Sequence, residues 1–490
     1  MSTTAATGFC RVTVVAPDSR IDVALPEDIA VADVYPEILR LTGQTQPVGA
    51  PTGYHLVRRD GSVLDGARTL AAQRILDGEV LSLRPFAASL PPAVYDDVSD
   101  AVASAVGRDR HLWSDELLRG AGLAGGVLLL ILMGFVLWFA DPVRHDMHSL
   151  PGVIAGAAGV LLTAFAGVRA RVYGDRATAV ALGLGALPLL LIAGSGIVAA
   201  DPGQGPGRLQ FLLGCVTVLV ASVTLVALTP SGDAPFVAAT FLAVVGTLAT
   251  FLAILTEASA TGTAAVCVPA AIGLVAFLPG LSARFARLPI GYASPRSAAD
   301  EEFHADPHQP AAEGRPVDGE RIALQARRGH EMLLGLVGGC AAVVVGACAV
   351  LGFAGNVWGQ LLALAAGLAM LLRARLFRYT SQVACVLVAG LASIALLVLG
   401  LSLNPPADLV RDLLVHGDRG GLDIRTIWLA AAVAAGAALI TAIGLIIPRK
   451  GLSPFWGRLL DLTEGFVLLA LVPLCLAVLD VFMRARSLTG

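Results

Sequence analysis

The sequence predicts a mainly α membrane protein, in which a small polar α/β head precedes eleven transmembrane helices. Two observations carry this prediction. Eleven separate apolar stretches are each long enough to cross a bilayer, which takes about 20 residues of helix. Almost all of the alternating, strand-like sequence lies ahead of them, within roughly the first 115 residues. Composition agrees, since 56% hydrophobic residues, 14% charged residues and a mean hydropathy of +0.76 lie far from the roughly 25% charged residues of soluble domains. A span must satisfy its own backbone N–H and C=O groups, so runs such as Gly120 to Ala140 must be helical.

The head is expected over residues 1–88. Residues 10–16 (CRVTVVA) and 20–25 (RIDVAL) alternate as two strands around a turn at Pro17 and Asp18. In VADVYPEILRLTG, Val31, Val34, Ile38 and Leu41 recur at helical spacing; Pro36 must then sit within the first turn, and Gly43 ends the helix. Residues 53–61 (GYHLVRRDG) give a strand and a turn. Residues 69–85 (TLAAQRILDGEVLSLRP) give a short helix, an Asp-Gly turn and a closing strand. This order is that of the ubiquitin-like β-grasp, where one helix crosses a small mixed sheet and about 80 residues supply core enough to fold alone. Nothing in it looks catalytic, and Pro85 runs on into a linker in place of a free Gly-Gly tail, so docking is its expected role. The N-terminus MSTTAATGFCRV has neither the basic n-region nor the apolar h-region of a signal peptide, which places the head in the cytosol.

An acidic helical linker is expected over residues 89–119. Asp96, Asp97 and Asp100 lie near the start of a helix whose apolar positions are Val94, Val98, Ala101 and Ala105, and acids there suit the helix dipole. The segment reads either as a solvated connector or as a rigid arm whose three aspartates dock a partner.

The transmembrane domain is expected over residues 120–483. Its spans are read at 120–140, 150–168, 177–200, 209–228, 234–255, 262–281, 332–353, 354–372, 380–403, 426–447 and 463–483. Gly352, Gly355 and Asn356 are the only turn signal between the seventh and eighth. The connections on the head's side hold 16 Arg and Lys residues and the opposite ones, with the tail, hold 7. That bias puts the N-terminus in the cytosol and the C-terminus, with a short tail at 484–490, outside. A cytosolic loop at 282–331 divides six spans from five. Its centre is polar and aperiodic, as in a disordered linker, while RIALQARRGHEML regains helical spacing and extends the seventh span into the cytosol. On the outer side, Asp408 to His416 form a short amphipathic helix suited to a membrane surface or a partner.

No constellation for chemistry emerges. There is no G-x-x-x-x-G-K-[ST], and Gly203, Gly205 and Gly207 lie on an outer turn with no strand before them. His330 and Glu331 begin H-E-M-L-L, which lacks the second histidine of a zinc-protease helix. Ser195, between Gly194 and Gly196, has no partnering histidine in sequence and reads as close helix packing. The seven cysteines show no metal-ligand spacing and read as small buried hydrophobes. No ionisable residue stands well inside a span: Glu257 and Asp480 lie near ends, and Gln360 is neutral, which argues against a proton-driven pump. Neither an enzyme activity nor a cofactor or metal is expected, and nothing points to nucleic acid. Gly152-x-x-x-Gly156 and Gly335-x-x-x-Gly339 offer close helix approaches, and Pro188, Pro269 and Pro473 are positions where spans can kink.

A ubiquitin-like head, the linker L-P-P-A-V-Y-D-D-V-x-D-A-V (Leu90 to Val102) and eleven spans together resemble the EccD family, the integral membrane component of type VII (ESX) secretion systems. The architecture covers the whole chain, and the linker is its most specific local match. The resemblance implies a non-enzymatic structural or channel subunit of a bacterial inner-membrane secretion complex. Its implied companions are EccB-, EccC- and EccE-like subunits and the mycosin protease, with EccC as the translocation ATPase. It further implies a homodimer whose membrane helices surround a wide lipid-facing cavity, and heads that meet the cytosolic parts of EccC and EccE. No catalytic residue is carried over. The alternative from the residues alone is a multispan secondary transporter or permease with a cytosolic regulatory domain.

Overall fold

The computed structural model describes residues 8–17, 19–44, 54–85, 114–140, 145–201, 205–229, 232–286, 319–450 and 453–489. The chain divides into two compact units, Met1–Trp113 and Ser114–Gly490.

In the first unit, β1 (Phe9–Val15) pairs antiparallel with β2 (Arg20–Pro26), and β3 (Tyr54–Val57) pairs antiparallel with β4 (Glu79–Pro85). The parallel pair β1 and β4 lies at the centre, giving the order β2-β1-β4-β3. Alternation in β1 sends Cys10, Val12 and Val14 inward, where Val31, Val34 and Ile38 of α1 (Val31–Leu41) meet them along with Leu56, Leu81 and Leu83. Each such side chain, taken from water, contributes about 1.5–3 kcal/mol, which is how a four-stranded sheet and one helix hold together. The phenol of Tyr35 on α1 accepts a hydrogen bond from the Leu56 amide at 2.9 Å, and its burial pushes its pKa up.

Two details depart from the expected head. Helix α1 starts at Val31, so Pro36 falls in its second turn, where its missing N–H leaves the Ala32 carbonyl without a helical donor. The short helix expected within residues 69–85 is a run of turns: Arg74 has φ +53°, which breaks any helix, and the Ile75 amide reaches the Leu70 carbonyl at 3.2 Å. Those turns aim Leu70 and Ile75 into the core, and tertiary burial outweighs the local helical spacing.

Among the described residues, the second unit holds ten helices long and apolar enough to cross a membrane, or eleven when one bent pair counts as a span. The first six spans are α2 (Asp115–Phe139), α3 (Leu150–Arg171), α4 (Arg176–Ser195), α5 (Arg208–Leu228), α6 (Ala234–Leu255) and the bent pair α7 (Ala260–Val275) with α8 (Leu278–Phe285). The sixth span, expected as one helix at 262–281, turns by 67° between its parts. Pro279 explains the break, because it has no N–H to donate to the Val275 carbonyl, and α8 restarts with proline in its first turn. Then follow α9 (Gly319–Phe353), α10 (Val357–Arg373), α11 (Thr380–Leu403), the amphipathic α12 (Ala407–His416), α13 (Gly420–Lys450), α14 (Pro454–Val478) and α15 (Val481–Thr489). The turn between α9 and α10 is real: Gly355 has φ +67°, and the Asn356 side chain accepts from the Trp358 amide at 2.9 Å. The last long span begins nine residues before the expected 463, at Pro454, and ends at Val478, since Asp480 has φ +54°.

Helices α3 to α6 pack in succession with α2 against α4, and α9 stands at the centre of a second group comprising α7, α10 and α11, with α14 against α7 and α10. The groups join where α9 crosses α6. A Cβ on Gly335 would lie 2.6 Å from Cβ of Val237, and one on Gly339 would lie 2.7 Å from Cβ of Phe241, so the Gly-x-x-x-Gly spacing is a specific contact. Gly152-x-x-x-Gly156 is different in kind: Gly152 meets the loop at Asp146 and Met147, and only Gly156 faces a helix, at Ala193.

Candidate functional site

Because α2 runs from Asp115 to Phe139, the bundle has a near end, where α2 begins, and a far end. Among the described residues, every ion pair joining two different elements of the bundle lies at the near end, in three knots. Asp175 caps α4, accepting from the Thr178 amide at 3.2 Å, and also binds Arg119 of α2 at 2.5 Å and Arg169 of α3 at 3.0 Å. The hydrogen bonds from Thr178 and the two guanidiniums hold its carboxyl below the usual 3.8. Beside it, Arg171 donates to the Ala227 carbonyl at 2.6 Å, tying α3 to the end of α5.

The second knot joins the two packing groups. Asp233, fully buried at the start of α6, lies 2.7 Å from Nη1 of Arg328 on α9, while Glu331 accepts from the Gly232 amide at 3.1 Å. Next to Glu331 on α9, His330 stacks on Tyr379 with ring centroids 4.2 Å apart and meets Gln382 of α11 at 3.3 Å. In the third knot, Arg375 reaches Asp461 at 3.1 Å and Glu464 at 3.2 Å, fastening the end of α10 to α14; Arg373, almost buried, lies 4.0 Å from Glu464.

These residues include those that reading the apolar stretches passed over. Glu464 falls inside the expected span 463–483, and the clean separation of charge from spans does not hold there. Asp233 and Glu331 stood at span edges, where sequence gives no sign of burial. The single available signal is spacing: Arg373 and Arg375 recur as cations at a span's end, as Asp461 and Glu464 do as acids at another's start.

The far end is built otherwise. There, Arg208 donates to the Ala253 and Glu257 carbonyls, and Arg425 donates to those of Leu401 and Asn404. Ser195 does have a histidine partner, contrary to expectation: Nε2 of His145 lies 2.6 Å from its Oγ, and the ring stacks on Trp138 at 4.6 Å. The hydroxyl donates to the Ile192 carbonyl at 2.9 Å and is buried, which makes the pair a pin between the ends of α2 and α4 and not a nucleophile. The expected close packing is also there, since a Cβ on Gly194 would lie 2.2 Å from Oγ1 of Thr217. All seven cysteines are free; five are buried and two half-buried, as small hydrophobes. Among the described residues, no three His, Cys, Asp or Glu side chains group so as to hold a metal. Asp96, Asp97 and Asp100 lie outside the described residues.

Helix α13 has a different character from the other spans. None of its apolar window is buried, its main neighbour is the short α12, and Arg425 fastens it at the far end only. Its centre, AAAVAAGAAL (Ala430–Leu439), is almost free of bulk, and a Cβ on Gly436 would meet nothing within 4 Å.

Residues 118–488 match the family described as the EccD-like transmembrane domain. The chain belongs to the EccD family. Its head, over residues 9–83, matches the family described as the WXG100 protein secretion system (Wss) protein YukD. Similar relatives are the ESX-4 secretion system protein eccD4 of Mycobacterium tuberculosis in two strains, CDC 1551 / Oshkosh and H37Rv; each is 29% identical over 498 residues, covering 98% of both chains. Among solved structures, protomer 1 of the ESX-3 core complex shares the fold, with a TM-score of 0.58 at 19% identity, over 97% of this chain and 100% of that one. This EccD-family chain is therefore a multi-pass membrane protein with a ubiquitin-like head, as the sequence predicts.

Proposed function

We propose that the chain is a structural subunit of a type VII secretion complex in a bacterial inner membrane, bracing the translocation conduit and docking cytosolic partners that include the secretion ATPase. The observation that carries this reading is α13, a full span of an EccD-family membrane domain whose apolar window is wholly unburied and whose main neighbour among the described residues is the short α12. Without a hydrophobic drive between helices in lipid, small residues associate by close backbone approach, and a span this free of bulk is built for a neighbour it lacks here. The near end faces the cytosol in this reading. It carries Arg169, Arg171, Arg176, Arg284, Arg328, Arg373, Arg375 and Arg378, in keeping with the positive-inside rule.

The head and the linker then dock partners on the cytosolic side. EccB-, EccC- and EccE-like subunits, the mycosin protease and a second copy of the chain are its partners, with Asp96, Asp97 and Asp100 meeting a basic patch on one of them. Among the described residues, the buried charges Asp233 and Arg373 are paired at helix ends, so no observation favours an ion-coupled transporter.

Purification of the tagged chain from its native membrane in mild detergent, with native mass determination, tests the proposal. Recovery with those subunits is the expected result, and recovery as a solitary chain active in substrate flux would reject it. Deleting residues 1–88 is expected to leave insertion intact and abolish complex formation. Replacing Asp96, Asp97 and Asp100 together by Ala is expected to lower complex yield; an unchanged yield would return them to a solvated connector.

A further inference from the structure

In the far half of the bundle, α5, α6, α7 and α9 leave an open groove of about 670 Å³ between them, with Arg208, Phe211, Gly246, Ala253, Cys267 and Gly346 among its walls. Along α6 it runs from Leu242 to Ala253. Those eleven steps are about 16 Å at 1.5 Å per residue, half the ~30 Å hydrocarbon core and hence one leaflet deep. A partner's transmembrane helix would run the full core, whereas a groove one leaflet deep with apolar walls suits the tails of a lipid.

Its mouth carries a cation. Arg208 is exposed, and its guanidinium meets only backbone, the Ala253 carbonyl at 3.2 Å and the Glu257 carbonyl at 3.4 Å. No carboxylate lies within ion-pair distance of it among the described residues, unlike the paired arginines of the near end. A guanidinium at interface depth with donors to spare is matched by a phosphate.

We infer that the groove holds the tails of one anionic phospholipid from the leaflet at the far end, with its phosphate on Arg208. The site is lined by a single chain and does not depend on the secretion reading. A bound lipid would fill the space between the two packing groups where α6 and α9 diverge beyond their glycine contact.

The test uses the full chain reconstituted in phosphatidylglycerol vesicles doped with phosphatidylglycerol carrying a diazirine in one tail, with cross-links mapped after irradiation. Labelling is expected to concentrate on Leu242 to Ala253 and Ala342 to Val350. In Gly346→Leu, labelling there should fall to the level seen on the exposed α13. A Cβ at 346 meets nothing within 4 Å, so this variant fills the groove without disturbing the fold. Arg208→Gln is expected to abolish a preference of about tenfold for phosphatidylglycerol over phosphatidylcholine, the size of one charge-assisted contact. Even labelling over all lipid-facing helices, or labelling unmoved by Gly346→Leu, would overturn the site. A preference that survives Arg208→Gln would overturn the headgroup assignment. A photoreactive residue at 346 that captures a protein helix in native membranes would overturn the lipid.

Discussion

Asp233 and Arg328 show how one pair can set the position of two helices. Asp233 is fully buried, so Arg328→Ala would leave its charge uncompensated at the α6–α9 junction. The expected cost is about 3–5 kcal/mol, read as a loss of thermal stability in detergent. Asp233→Asn with Arg328→Gln should recover much of it, and a double variant as unstable as the single one would disprove the pairing account. A second test compares glycines: Gly339→Val, whose Cβ would lie 2.7 Å from Phe241, should cost about 1–3 kcal/mol by overpacking, whereas Gly346→Ala should be neutral or gain up to about 1 kcal/mol. Equal effects would mean that α9 does not rest on α6 through Gly339. Asp175 gives a pH test. Its folded pKa is depressed, so its stabilisation is complete above the unfolded value of about 3.9 and is lost as pH falls through the folded value. The stability gap between wild type and Asp175→Asn should stay level from about pH 7 to 5 and close below about pH 4. A gap that changes near pH 6 would implicate another group.

Among the elements, α13 and the α7–α8 pair depart from a simple row of spans, for different reasons. Pro279 dictates the break between α7 and α8 from within the chain. The apolar window of α13 is unburied and a Cβ on Gly436 would meet nothing within 4 Å, so Ala435→Leu with Gly436→Leu should change the stability of the isolated chain by no more than about 0.5 kcal/mol, as at other uncontacted positions. The same pair is expected to lower the yield of the native complex, measured by co-purification. A large loss of stability in the isolated chain would show that α13 packs against its own bundle. The third group of charges also belongs at this scale: α14 begins at Pro454 and so takes in Asp461, which a hydropathy reading leaves outside the span, along with Glu464, and Arg375 pairs with both.

For the whole molecule, the head should fold when residues 1–88 are expressed alone, since its core is closed among its own strands, α1 and turns. Leu56→Ala in that fragment should cost about 2–5 kcal/mol in urea unfolding, as the side chain is fully buried; a smaller loss would mean that the core is loose. The number and order of spans, the β-grasp order and the amphipathic α12 were legible in the sequence, because they follow from apolar length, alternation and turn residues, all of which are local. The depth of the near-end knots was not. A carboxylate at a span's edge reads the same whether it faces water or an arginine contributed by a helix a hundred residues away, as Asp233 and Arg328 illustrate. Likewise Gly335-x-x-x-Gly339 and Gly152-x-x-x-Gly156 are alike in sequence, yet only the first seats one helix upon another. By itself, then, the sequence determined that this chain is a head on a multi-span membrane domain, since hydrophobic length and backbone hydrogen bonding leave no other solution. Only the tertiary structure decided which glycines touch, which charges are buried, which span stands apart and where a groove opens, because those depend on which distant faces meet.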